Sequence, residues 1–166
     1  TILFTDLIGS AALFDRAGDE QADAVRREHF EALRRAVAAH GGREVKSTGD
    51  GLMVAFASAV AAVRCATEMQ RATTGADHGE LRIGLDAGEP LPDGDDLYGT
   101  PVIVASRLCE SADAGQILAS DIVRQIAGPR VAELMRPAGA LRLSGIADRV
   151  VTAEVSWRPD AEPPAR

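Results

Sequence analysis

Two hydrophobic periods alternate along this chain. Residues 2–7 (Ile-Leu-Phe-Thr-Asp-Leu) form a short β-type run that ends at Gly9-Ser10, and a polar helical stretch, 10–16, follows at once. A strand leading into a helix N-terminus is predicted. From 19 to 40, Ala22, Val25, His29, Leu33, Ala36 and Val37 recur at three- and four-residue steps before Gly41-Gly42, which predicts an amphipathic helix with a glycine stop. Residues 44–48 and 52–56 are β-type around Gly49-Asp50-Gly51, so a hairpin with Asp50 near its tip is expected. A second amphipathic helix, 59–73, carries Ala59, Ala62, Val63, Ala66 and Met69 on one face. A strand at 81–87 follows, then turn-rich sequence from 88 to 96. The helix expected at 100–111 buries Val102, Ala105, Cys109 and Ala112 and presents Ile103, Arg107 and Glu110 on the other side. Short strands are predicted at 117–119, 141–143 and 150–155.

This order predicts an α/β chain of the α+β sandwich kind: a βααββαβ core with a mostly antiparallel sheet covered by helices. At 166 residues one hydrophobic core suffices, so a single domain over 1–157 is expected, with the proline-rich stretch 158–166 as a disordered tail. The first strand is already under way at Thr1, as in a piece of a longer protein.

Composition narrows the partners. Hydrophobic residues make up 46% and charged residues 26%, which supports a packed core, while 4% aromatics argue against an aromatic-rich β-sandwich. A net charge of −7 without any lysine or arginine run disfavours a nucleic acid polymer. An acidic protein that handles an anionic nucleotide needs carboxylate-held cations and a few placed basic residues. No apolar run reaches the roughly 20 residues that span a bilayer. Cys65 and Cys109 lack metal-ligand spacing and read as small buried thiols, so a cytoplasmic location is expected. His29, His40 and His78 also lack metal spacing and read as structural or exposed.

The chemistry concentrates in Phe4-Thr5-Asp6-Leu7-Ile8-Gly9-Ser10 and Lys46-Ser47-Thr48-Gly49-Asp50-Gly51, one carboxylate at a strand end and the other at a hairpin tip. Side by side, two such carboxylates with a backbone carbonyl suit a hard divalent cation, which keeps sites for phosphate oxygens. The N–H groups from Leu7 through Ile8 and Gly9 to Ser10, at a helix start, suit a triphosphate.

These segments resemble those of the class III adenylate and guanylate cyclases, whose catalytic domains open with Phe-Thr-Asp, two hydrophobic residues, Gly and Ser or Thr. The resemblance continues through Arg82-Ile83-Gly84-Leu85, Gly88-Glu89 and the run from Asp96-Leu97-Tyr98-Gly99 to Arg107-Leu108. It implies an adenylate cyclase that turns ATP into 3′,5′-cyclic AMP and pyrophosphate. By the same resemblance, Asp6 and Asp50, helped by the Leu7 carbonyl, hold two divalent ions, Mg²⁺ or Mn²⁺. Lys46 and Asp96 match the pair that reads adenine, the lysine donating to a ring nitrogen and the aspartate accepting from the amino group. Arg107 matches the arginine that stabilises charge on the α-phosphate. The family completes each site across a two-fold axis, so a homodimer with composite sites is implied.

Two positions depart from the pattern. The family's ribose-orienting asparagine is replaced by Ile103, which neither donates nor accepts; losing one preorganised donor costs on the order of 10²–10³ in rate. The family's triphosphate lysine is replaced by Ser144, and Arg142, two residues earlier and so on the same strand face, is the expected substitute. Plainer readings stand beside these: Lys46 as a solvated strand lysine, Asp96 as a loop carboxylate, Arg107 paired with Glu110 or Glu31. The alternative function is a catalytically degenerate cyclase-like domain that binds nucleotide or dimerises to regulate an attached module.

Overall fold

The computed structural model describes residues 1–75 and 79–158. Strand β1 (Ile2–Ile8) leads into helices α1 (Ser10–Ala17) and α2 (Asp19–Ala39). The hairpin β2 (Arg43–Ser47) and β3 (Leu52–Ala55), helix α3 (Ala59–Thr73) and strand β4 (Glu80–Asp86) complete the expected βααββαβ order. Then come β5 (Leu91–Asp93), β6 (Asp96–Tyr98), α4 (Thr100–Ser111), β7 (Ile117–Ser120), α5 (Asp121–Ala127), two 3₁₀ turns, β8 (Met135–Leu141) and β9 (Val150–Val155). One seven-stranded sheet runs β2-β3-β1-β4-β7-β9-β8, and β5-β6 is a separate hairpin. Every neighbouring pair in the large sheet is antiparallel except β4 and β7.

Period-two alternation sends each central strand's side chains to two cores. Leu3, Leu52, Val54, Ile83 and Leu85 face the cluster formed with α2, α3 and α5. Ile2, Phe4 and Met53 face Ala105 and Cys109 of α4 on the opposite side. The α4 face also buries Val104 and Leu108 against Leu118 and Leu143. Helix α4 approaches the sheet closely because β4 carries Gly84, where a Cβ would lie 2.2 Å from the Cys109 nitrogen and 2.3 Å from the Ala105 carbonyl oxygen. His29 is fully buried and meets the Phe30 ring edge-on at 5.9 Å. His40 pairs with Glu68 at 2.6 Å, and His78 lies outside the described residues.

Three stretches differ from expectation. The turn-rich segment 88–96 contains the small β5-β6 hairpin, closed over Gly94-Asp95 with Asp93 opposite Asp96; its three-residue strands are too short to show a period. Helix α5 went unpredicted because seven residues give barely two turns of pattern. The strand expected at 141–143 instead ends at Leu141, with Leu143 buried beyond it under α4. The same-face argument for Arg142 therefore fails: 142–144 is not strand, and Arg142 is exposed outside any β alternation. The expected tail lies outside the described residues beyond Arg158, whose guanidinium sits 4.3 Å over the Trp157 ring.

Candidate active site

Asp6 stands near the C-terminal end of β1, on the α4 face, directly opposite Arg82 of β4. Arg82 donates from Nε at 2.9 Å and Nη2 at 2.6 Å to the same Asp6 oxygen, while its Nη1 reaches the Glu110 carbonyl at 2.8 Å. Asp6 stands between Thr5 and Leu7 and Arg82 between Leu81 and Ile83, and cross-strand pairing reconciles the two charges. Within its motif, Arg82 between the apolar Leu81 and Ile83 is the one sequence signal that a carboxylate faces it.

The hairpin tip packs against β1 one residue before Asp6. A Cβ on Gly51 would lie 1.7 Å from the Thr5 carbonyl oxygen, so only glycine admits this approach, and the Thr5 hydroxyl accepts the Leu52 N–H at 2.9 Å. This contact carries Asp50 beside the end of β1. Its carboxylate accepts the Ser10 hydroxyl at 2.6 Å and lies 3.9 Å from Arg26 Nε; Arg26 Nη2 also donates to the Gly49 carbonyl at 3.1 Å. Gly9, at φ 89°, makes the break between β1 and α1 that places Ser10 there. Arg26 had no signature in the sequence, because only the packing of α2 over the hairpin brings it to Asp50.

A cleft of 330 Å³ opens at Asp6, lined also by Thr48, Arg82 and, from α4, Ser106, Cys109 and Glu110. Burial pushes the Cys109 thiol up to about 12, with the Asp6 charge adding to the effect, so it stays protonated and inert there. Burial likewise pushes Cys65 up to about 12.

Lys46 and Asp96, fifty residues apart in sequence, meet at 2.7 Å. The second Asp96 oxygen accepts the Leu97 N–H at 2.8 Å. The Lys46 hydrogen bond, then this N–H, hold the Asp96 carboxyl below the usual carboxylate range. Arg107 takes its plainer partner, Glu110, at 2.8 and 3.0 Å, not Glu31, and its Nε donates to the Ser144 carbonyl at 3.2 Å. Residue 144 thus does stand beside Arg107, offering a backbone oxygen where a cation was sought. Ile103, one turn before Arg107, is 44% exposed.

Asp6 and Asp50 suit hard divalent ions: both are carboxylates, their side chains 37% and 41% exposed, on abutting backbone segments. Arg82 engages one Asp6 oxygen and Ser10 one Asp50 oxygen, with Arg26 3.9 Å from the other Asp50 oxygen. Among the described residues no group of three or more His, Cys, Asp or Glu converges to hold a metal ion.

The sheet with its one parallel pair thus carries one carboxylate at the end of β1 and a second on the abutting hairpin tip. Residues 1–147 match the family described as "Adenylate and Guanylate cyclase catalytic domain", and the chain belongs to it. It is 34% identical over 131 residues, 75% of its length, to the putative adenylate cyclase 3 of Rhizobium meliloti (strain 1021). The chain spans only 22% of that relative's length, and 18% of a Myxococcus xanthus serine/threonine-protein kinase, pkn2, to which it is 30% identical. An adenylate/guanylate cyclase/hydrolase structure from Silicibacter pomeroyi superposes with TM-score 0.81 at 31% identity, covering 93% of this chain and 94% of that one. The guanylyl cyclase Cya2 superposes at 0.76 with 26% identity, covering 93% and 89%. No helix among the described residues is long and apolar enough to cross a membrane.

Proposed function

We propose that this domain is an adenylate cyclase, converting ATP to 3′,5′-cyclic AMP and pyrophosphate at composite sites of a homodimer, at a rate lowered by Ile103. The observation that carries the choice of ATP is the Lys46–Asp96 pair at 2.7 Å. A lysine donor and an aspartate acceptor fixed side by side match the acceptor ring nitrogen and donor amino group of adenine, and oppose guanine, which reverses that pattern.

Asp6 and Asp50, with the Leu7 carbonyl, would hold two divalent ions, Mg²⁺ or Mn²⁺. When bound, such ions lower the pKa of the ribose 3′-hydroxyl and offset charge on the departing pyrophosphate. The backbone from Leu7 to Ser10 receives the triphosphate, and Arg82, released from Asp6, adds positive charge beside it. Arg107, contributed by the opposite subunit, exchanges Glu110 for the α-phosphate oxygens as charge builds there. Arg142 stays an exposed cation with no established geometry toward substrate. Ile103 and the missing lysine at Ser144 favour a second reading, a degenerate domain that binds nucleotide or dimerises to regulate an attached module.

Cyclic nucleotide production from ATP and GTP, with Mn²⁺ and Mg²⁺, for wild type beside Asp6→Ala separates the two. Cyclic AMP that depends on Asp6 and far exceeds cyclic GMP is the expected result. A folded dimer that binds ATP yet makes neither product establishes the second reading.

A further inference from the structure

Helix α4 borders a second pocket at its other end. The Asp6 cleft takes Ser106, Cys109 and Glu110 from this helix; the second pocket, of 380 Å³, takes Thr100 and Val104, and no residue lines both. On β4 the two sites are marked by Arg82 and Asp86, which face Asp6 and Ile2 of β1. Four residues of strand separate them, about 13 Å.

The pocket is apolar at its rim and carboxylate-lined inside. Ile122 and Val151 stand 51% and 56% exposed, a large apolar surface for two residues beside an opening. Asp86 and Ser120, 4% and 2% exposed, lie deeper. The Ser120 hydroxyl and the Ala87 N–H donate to Asp86, which leaves this carboxylate with further acceptor capacity. Burial nonetheless pushes its carboxyl above the usual range, against the opposing Ser120 and Ala87 hydrogen bonds. Among the described residues no cation lies within ion-pair distance of it. Arg124 is held by Asp121, and Arg149, exposed on the pocket wall, turns its Nη1 to the Ala140 carbonyl at 3.3 Å. A buried carboxylate of this kind is costly until a counter-charge reaches it.

We propose that this pocket binds a small amphiphilic amine, its ammonium against Asp86 and its apolar body between Val104, Ile122, Val150 and Val151. The volume falls within the roughly 300–1,000 Å³ of ordinary ligand pockets and suits one ring on a short chain. Asp121, also on the wall, is paired with Arg124 at 2.6 Å and accepts the Gln125 amide N–H, which leaves the Gln125 amide oxygen for the same head group. The site is separate from the Asp6 cleft, and α4 and the segment from Ser144 to Ile146 join it to Arg107.

The test is a titration of the ¹⁵N-labelled 166-residue chain with 2-phenylethylamine at neutral pH, with 2-phenylethanol as the uncharged counterpart. Saturable shifts at Ala87, Ser120, Ile122 and Val151, at least about tenfold tighter for the amine, are expected. Ile122→Lys and Val151→Lys, both at exposed positions that leave the fold intact, should abolish them, and Asp86→Asn should bring amine and alcohol level. Absence of saturable shifts at millimolar amine, equal binding of the alcohol, or binding that persists in both rim variants overturns the proposal. Since turnover is never read, failure here is distinct from failure of the cyclase reading.

Discussion

At the scale of single residues, the candidate site is a set of charges already satisfied by neighbours that substrate or metal would displace. Asp50 is held by the Ser10 hydroxyl at 2.6 Å and flanked by Arg26. A guanidinium 3.9 Å from this carboxylate competes with any other cation for it. Arg26→Ala is therefore expected to lower the Mn²⁺ concentration at half-maximal cyclase activity by up to about fivefold, the worth of a half-exposed ion pair of about 1 kcal/mol. An unchanged Mn²⁺ titration would show that Arg26 merely decorates α2. Asp86 gives a prediction in pH. Burial raises its pKa in the folded state, so the folded chain binds more protons than the unfolded one between the ordinary carboxylate range and that raised value. Stability falls as pH rises through this window, and the cost is complete above it. Asp86→Asn should thus be more stable than wild type at neutral pH, with the difference shrinking on acidification, as read by urea unfolding at pH 7 and pH 4.

At the scale of elements, two glycines set the distances that matter. Gly51 brings the hairpin against Thr5, and Gly84 lets α4 settle on β4. The contacts a methyl would meet at Gly84 are backbone atoms, which cannot swing aside. Gly84→Ala is expected to cost about 1–3 kcal/mol in overall stability, the range for overpacking. A fully wild-type urea midpoint would mean that α4 slides freely over the sheet. The β5-β6 hairpin does for Asp96 what the bulge between Glu44 and Lys46 does on the facing strand: each sets one half of the Lys46–Asp96 pair.

At the scale of the whole molecule, the prediction concerns two chains. In one subunit Arg107 is turned to Glu110 and the Ser144 carbonyl, and it does not line the cleft at Asp6. If sites are composite, Asp6→Asn and Arg107→Ala are each inactive alone. Mixing them in equal amounts should restore about a quarter of wild-type activity, since half the dimers are mixed and each has one intact site. No recovery on mixing, with dimer exchange verified, would place both residues in the same subunit's site.

The sequence by itself determined the βααββαβ order, the extents of α3 and α4, and the positions of the carboxylates, because periodicity and turn chemistry are local properties that a few residues display. It also placed Asp50 at a hairpin tip, since Asp-Gly between β-type runs dictates a turn. Only the tertiary structure decided what each charge meets. Arg82 finds Asp6 through strand pairing 76 residues apart, and Arg26 finds Gly49 through helix packing 23 residues apart. Neither separation leaves a period to read. The same limit misled the reading of Arg142: Leu141 and Leu143 are both apolar, but the chain leaves the sheet between them to bury Leu143 under α4, a choice made by the shape of the core and by nothing local.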